Sequence, residues 1–234
     1  LHSPPNARVT IMTKTLLITG ASTGIGAATA RAAARAGWNV ALLARSEDKL
    51  ESLADEIGDA ALALACDVTD RDAVNEAVAK TVDHFGGLDG VFANAGKGVD
   101  NPGVENGDPA EWHDMIHLNI LAVLYTAHAT LPHLRKTRGM FVVTGSKAGR
   151  DHMKGSIYGA TKWFVHGFAG NLAEEMREWG GRCTVISPGM VDTPFFDEGK
   201  PTKLQPEDIA DAVVFALGQR DTSCVREIHL MPND

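Results

Sequence analysis

Tyr158 and Lys162 stand four residues apart in Tyr158-Gly159-Ala160-Thr161-Lys162, so a helix would set a phenol and an ammonium on one face. A free phenol ionises near pH ~10, too high for efficient proton transfer near neutrality. A cation held beside it would favour the phenolate and lower that value. The spacing alone is common. By itself it describes a surface pair, or a lysine lying against a buried ring, more often than a site. The residues that follow, Trp163, Phe164 and Val165, put Lys162 in apolar company, where an ammonium needs a partner. Ser146 precedes Tyr158 at the end of an apolar run. A hydroxyl there faces a ligand rim or caps a turn. Asn119 falls on an apolar stripe with Trp112, Met115, Ile116, Ile120 and Val123. A buried amide costs roughly 1–3 kcal/mol unless hydrogen-bonded. It reads either as a site residue or as a core asparagine tying a helix to a strand.

These side chains need a frame to bring them together. The stretch Thr15-Leu16-Leu17-Ile18-Thr19-Gly20-Ala21-Ser22-Thr23-Gly24-Ile25-Gly26 runs from an apolar strand into a Gly-rich turn, and an alanine-rich helix over 24–36 follows. Strand, tight turn and helix place backbone N–H groups at a helix N-terminus, where an anion is favoured. Glycines let a pyrophosphate approach without Cβ clashes. The spacing is G-x-x-x-G-x-G, and the lysine of a P-loop is missing. The bland alternative is a helix cap whose small residues pack on a sheet.

Downstream, strands and helices alternate. Residues 39–44 read as a second strand, 45–57 as a helix and 60–66 as a third strand. Thr69 and Asp72 form a capping-box-like start. Val74, Ala77, Val78, Val82 and Phe85 then mark one helical stripe, stopped by Gly86-Gly87. A fourth strand over 88–93, a surface loop over 97–109 and a long helix over 110–136 follow, with Pro132 expected to bend or end the helix. Residues 138–144 make a fifth strand, 146–155 a loop, 156–179 a helix and 182–186 a sixth strand. After an irregular segment over 190–205, Pro206 opens a helix closed by Gly218, and 223–230 supplies a last strand. Short, continuously apolar strands with helical crossovers indicate an α/β fold: one doubly wound parallel sheet, helices on both faces, three layers. Ligands of such sheets sit at the carboxyl ends of strands. Those ends carry Gly20, Arg45, Asp67, Asn94, Ser146 and Pro188-Gly189.

Composition narrows the rest. The chain has 234 residues, 44% hydrophobic and 22% charged, which suits one large domain over 12–234. Residues 1–11 lack an apolar signal-peptide core, and we expect a tag or an upstream extension there. A net charge of −8 with no long basic run argues against nucleic acid. No apolar run approaches the ~18 residues of a membrane span. Three scattered cysteines, Cys66, Cys183 and Cys224, suit buried thiols in a reducing, cytoplasmic compartment. The nine histidines show no metal-ligand spacing, so no metal is expected, and His113 and His166 read as packing or surface residues.

In the order Thr19-Gly20-x-x-x-Gly24-x-Gly26, Asp67, Asn94-Ala95-Gly96, Asn119, Ser146, Tyr158-x-x-x-Lys162 and Pro188-Gly189 with Thr193, the chain resembles the short-chain dehydrogenase/reductase family from 14 to 232. The resemblance implies a single-domain Rossmann fold and an oxidoreductase that interconverts a small-molecule carbonyl and a secondary alcohol. It implies a catalytic tetrad of Asn119, Ser146, Tyr158 and Lys162. It places the cofactor on Gly20, Ser22, Thr23, Gly24, Ile25 and Gly26, with Asp67 and Val68 at the adenine, Asn94 and Gly96 on the adenosine side, and Pro188, Gly189, Val191 and Thr193 near the nicotinamide. Tyr158 and Lys162 would touch it as well. It further implies a homodimer or homotetramer packed through the helices near 110 and 156. NAD-using folds usually carry an acid at the end of the second strand. Here Ala44-Arg45-Ser46 stands there, and an arginine can grip a 2′-phosphate. NADP(H) is therefore expected ahead of NAD(H), though Thr23 leaves the turn without a second basic residue. Substrate-pocket candidates are Lys97, Arg150, His152, Met153, Met190, Phe195 and Phe196, with Arg150 able to hold a hydroxy-acid carboxylate. The alternative from another class is a non-catalytic NAD(P)-binding sensor, which would not need the phenol–ammonium pair.

Overall fold

The computed structural model describes residues 13–100, 103–196 and 198–233. The extension expected over 1–11 lies outside them. The first half holds β1 (Thr15–Thr19), α1 (Gly24–Arg35), β2 (Asn39–Ala44), α2 (Glu47–Ile57), β3 (Ala61–Ala65), α3 (Arg71–Phe85) and β4 (Gly90–Ala93). The second holds α4 (Pro109–Ile116), α5 (Ala122–Thr137), β5 (Met140–Thr144), α6 (Ile157–Arg177), β6 (Arg182–Pro188), α7 (Pro206–Leu217) and β7 (Glu227–Leu230).

The strands form one parallel sheet in the order β3-β2-β1-β4-β5-β6-β7. All five residues of β1 and all seven of β6 are buried, because helices cover both faces. Alternation then sorts side chains by face. Leu16 and Ile18 pack with α1, α2 and α7, while Leu17 packs with α3, α5 and α6. Alanines Ala28, Ala32 and Ala210 bring α1 and α7 close. β1 pairs with β2 on one side and β4 on the other, so the winding direction reverses there. Chains leaving β1 and β4 turn to opposite faces, and a crevice opens at their carboxyl ends.

Most elements fall where the pattern of apolar residues places them. The helix expected over 110–136 does not run through. A π turn, His117–Leu121, separates α4 from α5, and the N–H of Ala122 bonds the carbonyl of His117. The wider turn changes the angular spacing, so Asn119 is 1% exposed while Ile116, expected on the same stripe, is 40% exposed. Pro132 sits inside α5 without ending it, and the helix closes at Arg138 in the left-handed region (φ 54°). α3 is capped by Asp70, which accepts from the N–H groups of Asp72 and Ala73; Thr69 turns back to Asp67 instead. Of the three thiols expected to be buried, Cys224 is exposed. Among the described residues no helix is long and apolar enough to cross a membrane.

Candidate active site

The loops after β1 to β6 line one cleft of about 1300 Å³. That volume exceeds the ~300–1000 Å³ of ordinary small-ligand pockets and leaves room for two molecules.

One end of the cleft is made of backbone. Gly20 (φ +66°) and Gly24 (φ +53°) occupy the left-handed region, and a Cβ on Gly24 would lie 3.2 Å from Thr193 Cγ2. A Cβ on Gly26 would sit 2.2 Å from the Gly20 carbonyl oxygen, so this position admits glycine alone without shifting the turn. The first turn of α1 has no side-chain cap and no acidic residue. Every other helix that starts from a loop has one or both: acids in α2, Asp70 on α3, Asp108 on α4, Ser156 on α6 and a capping box on α7. The N–H groups and positive end of α1 are thus left to face the cleft, where they suit an anion. Arg45, exposed at the end of β2, lines this end with Asp67 and Val68. Burial pushes the Asp67 carboxyl up, but bonds from the Thr69 N–H and hydroxyl, with Arg45 and His117 near, bring it below its ordinary value.

The middle of the cleft is held by side-chain clamps. Asn94 donates to the carbonyls of Thr19 and Gly20 (3.2 and 3.4 Å) and accepts from Thr144 Oγ1 (3.1 Å). One amide therefore ties the ends of β1, β4 and β5 together. Asn119 accepts from the Lys97 N–H and donates to the Lys97 carbonyl (2.9 Å each) and to Thr161 Oγ1 (3.1 Å). It fastens the loop after β4 to α6 from behind. Neither Asn119 nor Gly26 lines the cleft itself.

Ser146, Tyr158 and Lys162 meet at the far end. Ser146 Oγ accepts from the Ala148 N–H (3.1 Å), and Ser156, two residues before Tyr158, caps α6 on the Gly159 N–H (2.9 Å). Lys162 is 5% exposed, donates to the Thr144 carbonyl (2.8 Å) and lies 5.8 Å from the centre of the Tyr158 ring. Burial lowers the Lys162 ammonium to about 8. Burial also raises the Tyr158 phenol, with the Ser146 hydroxyl pulling the other way. The lysine was expected to lower the phenol. In the chain by itself desolvation dominates instead and outweighs the Ser146 hydrogen bond.

For three features the sequence offers a residue type but not the contact it makes. His166 is wedged under the loop that carries Ser146: a Cβ on Gly145 or Gly149 would lie 2.8 and 2.7 Å from its ring. Its Nε2 is 3.2 Å from buried Ser187 Oγ and its Nδ1 3.7 Å from Glu227. Burial holds its imidazole below the ordinary value although Glu227 pulls upward. The two small glycines before and after Ser146 were the only available signal. Second, the segment after β6 is a closed loop. Val191 bridges Leu204, and the Asp192 N–H bonds the Leu204 carbonyl (2.7 Å). Third, the tip of that loop places Phe195 5.8 Å from Tyr158, ring centre to ring centre. Arg150 and His152 do not join the site. Arg150 pairs with Glu227 at 3.2 Å, His152 packs on Trp163, and neither lines the cleft. Lys97, Met153, Met190, Phe195 and Phe196 do line it. Among the described residues no three His, Cys, Asp or Glu side chains gather closely enough to hold a metal ion.

A family model for short chain dehydrogenases matches residues 14–203. An uncharacterized oxidoreductase of Staphylococcus epidermidis is 35% identical over 224 residues, covering 94% of this chain and 97% of its own. The structure of an alcohol dehydrogenase from the archaeon Thermococcus sibiricus, complexed with 5-hydroxy-NADP, superposes with a TM-score of 0.88 at 34% identity over 94% of this chain and 97% of that one. Serine dehydrogenase from Escherichia coli gives 0.86 at 29% identity over 93% and 97%. With its parallel seven-stranded sheet and these full-length relatives, the chain belongs to the short-chain dehydrogenase/reductase family and is an oxidoreductase.

Proposed function

We propose that the chain interconverts a carbonyl and a secondary alcohol, using NADP(H) in preference to NAD(H). One observation carries the reading: the glycine cradle at the uncapped end of α1 and the Ser146–Tyr158–Lys162 group open into the same cleft. The residues fit a dinucleotide. A Cβ at Gly20, Gly24 or Gly96 would intrude on the cradle's own walls, and the free N–H groups of α1 suit a pyrophosphate. When bound, the nicotinamide supplies or accepts the hydride. In reduction, Ser146 donates a hydrogen bond to the substrate oxygen and Tyr158 gives it a proton, completing the alcohol as hydride reaches carbon. Oxidation returns that proton to Tyr158. Lys162 holds positive charge beside the phenol and would bind the ribose of the cofactor. Asn119, whose amide is engaged by Lys97 and Thr161, keeps Lys97 and α6 in register behind this group. Asp67, Val68, Asn94 and Gly96 would flank the adenosine, and Pro188, Gly189, Val191 and Thr193 the nicotinamide. Arg45 supports the NADP(H) preference, since no carboxylate stands at the end of β2 to repel a 2′-phosphate. The 5-hydroxy-NADP of the Thermococcus enzyme is consistent with it. We place the protein in the cytoplasm as a homo-oligomer; Trp163, 44% exposed on α6, suits a helix-to-helix contact.

A screen of small ketones, aldehydes and hydroxy acids with both cofactors tests the reading. We expect consumption of NADPH with a higher kcat/KM than NADH. Binding of either cofactor without turnover of any compound would instead favour a sensor, and a clear NADH preference would remove the role of Arg45.

A further inference from the structure

Nine large hydrophobic side chains are exposed among the described residues, and four of them, Met153, Met190, Phe195 and Met231, line this one cleft. They come from three separate segments: the loop after β5, the closed loop after β6, and the end of the chain beyond β7. Phe195 is 46% exposed and its ring tilts 56° to that of Tyr158. On its other side the ring end lies 3.2 Å from where a Cβ on Gly98 would stand, so it reaches across to the loop after β4. Phe196 braces it edge-on, with centroids 5.2 Å apart. Apolar surface left open beside Tyr158 inside a cleft suits a substrate that covers it.

The cations on that side are engaged, buried Lys162 by the Thr144 carbonyl. Arg150 is turned out of the cleft onto Glu227 at 3.2 Å. Lys147 faces Asp151 at 3.2 Å, Lys97 faces Asp114 at 3.9 Å, and Lys203 has an interaction of its own. A carboxylate entering beside Phe195 would lose water without gaining a dedicated counter-charge, which is costly. A ring or branched alkyl group would instead stack on Phe195 and pack on methionines, whose unbranched, polarizable side chains adapt to varied shapes.

We propose that this half of the cleft selects neutral carbonyl compounds with an aromatic or bulky apolar substituent, seated on Phe195, and rejects keto and hydroxy acids. The inference rests on the oxidoreductase reading above and adds the substrate class. The test uses full-length protein with NADPH and three ketones: methyl 4-acetylbenzoate, 4-acetylbenzoate and acetone. The first two present nearly the same reacting carbonyl and differ in a charge across the ring. We expect the ester to exceed the acid in kcat/KM by at least about tenfold. In Phe195→Ala the ester-to-acetone ratio of kcat/KM falls by about tenfold, and in Phe195→Leu it falls by less. NADPH binding, read by fluorescence, reports that each variant is folded. An acid used as well as the ester overturns the proposal while leaving hydride transfer standing. So does an unchanged ester-to-acetone ratio in both variants. Binding of NADPH with no turnover of any ketone overturns this inference and the oxidoreductase reading together.

Discussion

The two ends of the cleft are built by different means. At the α1 end the surface is backbone: glycines in left-handed conformations, unpaired N–H groups, and strand ends tied by Asn94. At the Phe195 end the surface is side chains projecting from loops, several of them exposed. The contrast teaches where tolerance lies. At Gly20 and Gly26 an added methyl group meets main-chain atoms, which cannot step aside as a side chain can. A methionine and phenylalanine wall can change residue by residue without disturbing the sheet. One end suits a ligand that stays the same, the other a ligand that varies.

The seam between the ends gives the largest expected effect. Tyr158→Phe removes one oxygen from the substrate side and nothing from the cradle. Turnover should fall by about 10²–10⁴-fold while NADPH binding persists. Near-normal kcat in that variant would falsify the role given to Tyr158. On the cradle side, Gly26→Ala forces a Cβ to within 2.2 Å of the Gly20 carbonyl oxygen. We expect a loss of stability of about 1–3 kcal/mol and a weakened NADPH affinity, read by thermal melting and fluorescence titration. A variant with wild-type melting and affinity would erase the distinction between the two ends.

A further effect on stability runs in the stabilising direction. In the fold Lys162 holds its proton with a pKa of about 8 rather than 10.5. Between those values the unfolded chain binds the extra proton, so this group makes stability rise with pH across that window. Below it, the buried ammonium is a net cost. Lys162→Met should therefore raise the melting temperature at pH 7, by roughly 1–3 kcal/mol of stability, and flatten the pH dependence above 8. Activity should be lost at the same time. A lower melting temperature at pH 7 would mean that the bond to the Thr144 carbonyl outweighs burial.

How much could be read in advance depended on whether the signal was local. β2 over 39–44 and α7 from Pro206 to Leu217 match because an apolar run, a proline at a first turn and a following glycine each act within a few residues. The cradle was legible for the same reason. The π turn at His117–Leu121 was not, since helical spacing looks continuous through it. Nor was the wedge of His166 beneath the Ser146 loop, or the turning of Arg150 toward Glu227, a residue 77 positions away.

The order of residue types along the chain determined the class of fold and the glycine cradle, because hydrophobic periodicity and backbone freedom are short-range properties. Tertiary packing alone decided which side chains share the cleft. Burial reversed the expected direction for the Tyr158 phenol, a pairing with Glu227 removed Arg150 as a carboxylate grip, and closure of the loop over 190–205 set Phe195 against Tyr158. Desolvation and long-range pairing depend on neighbours that meet only after the sheet has formed.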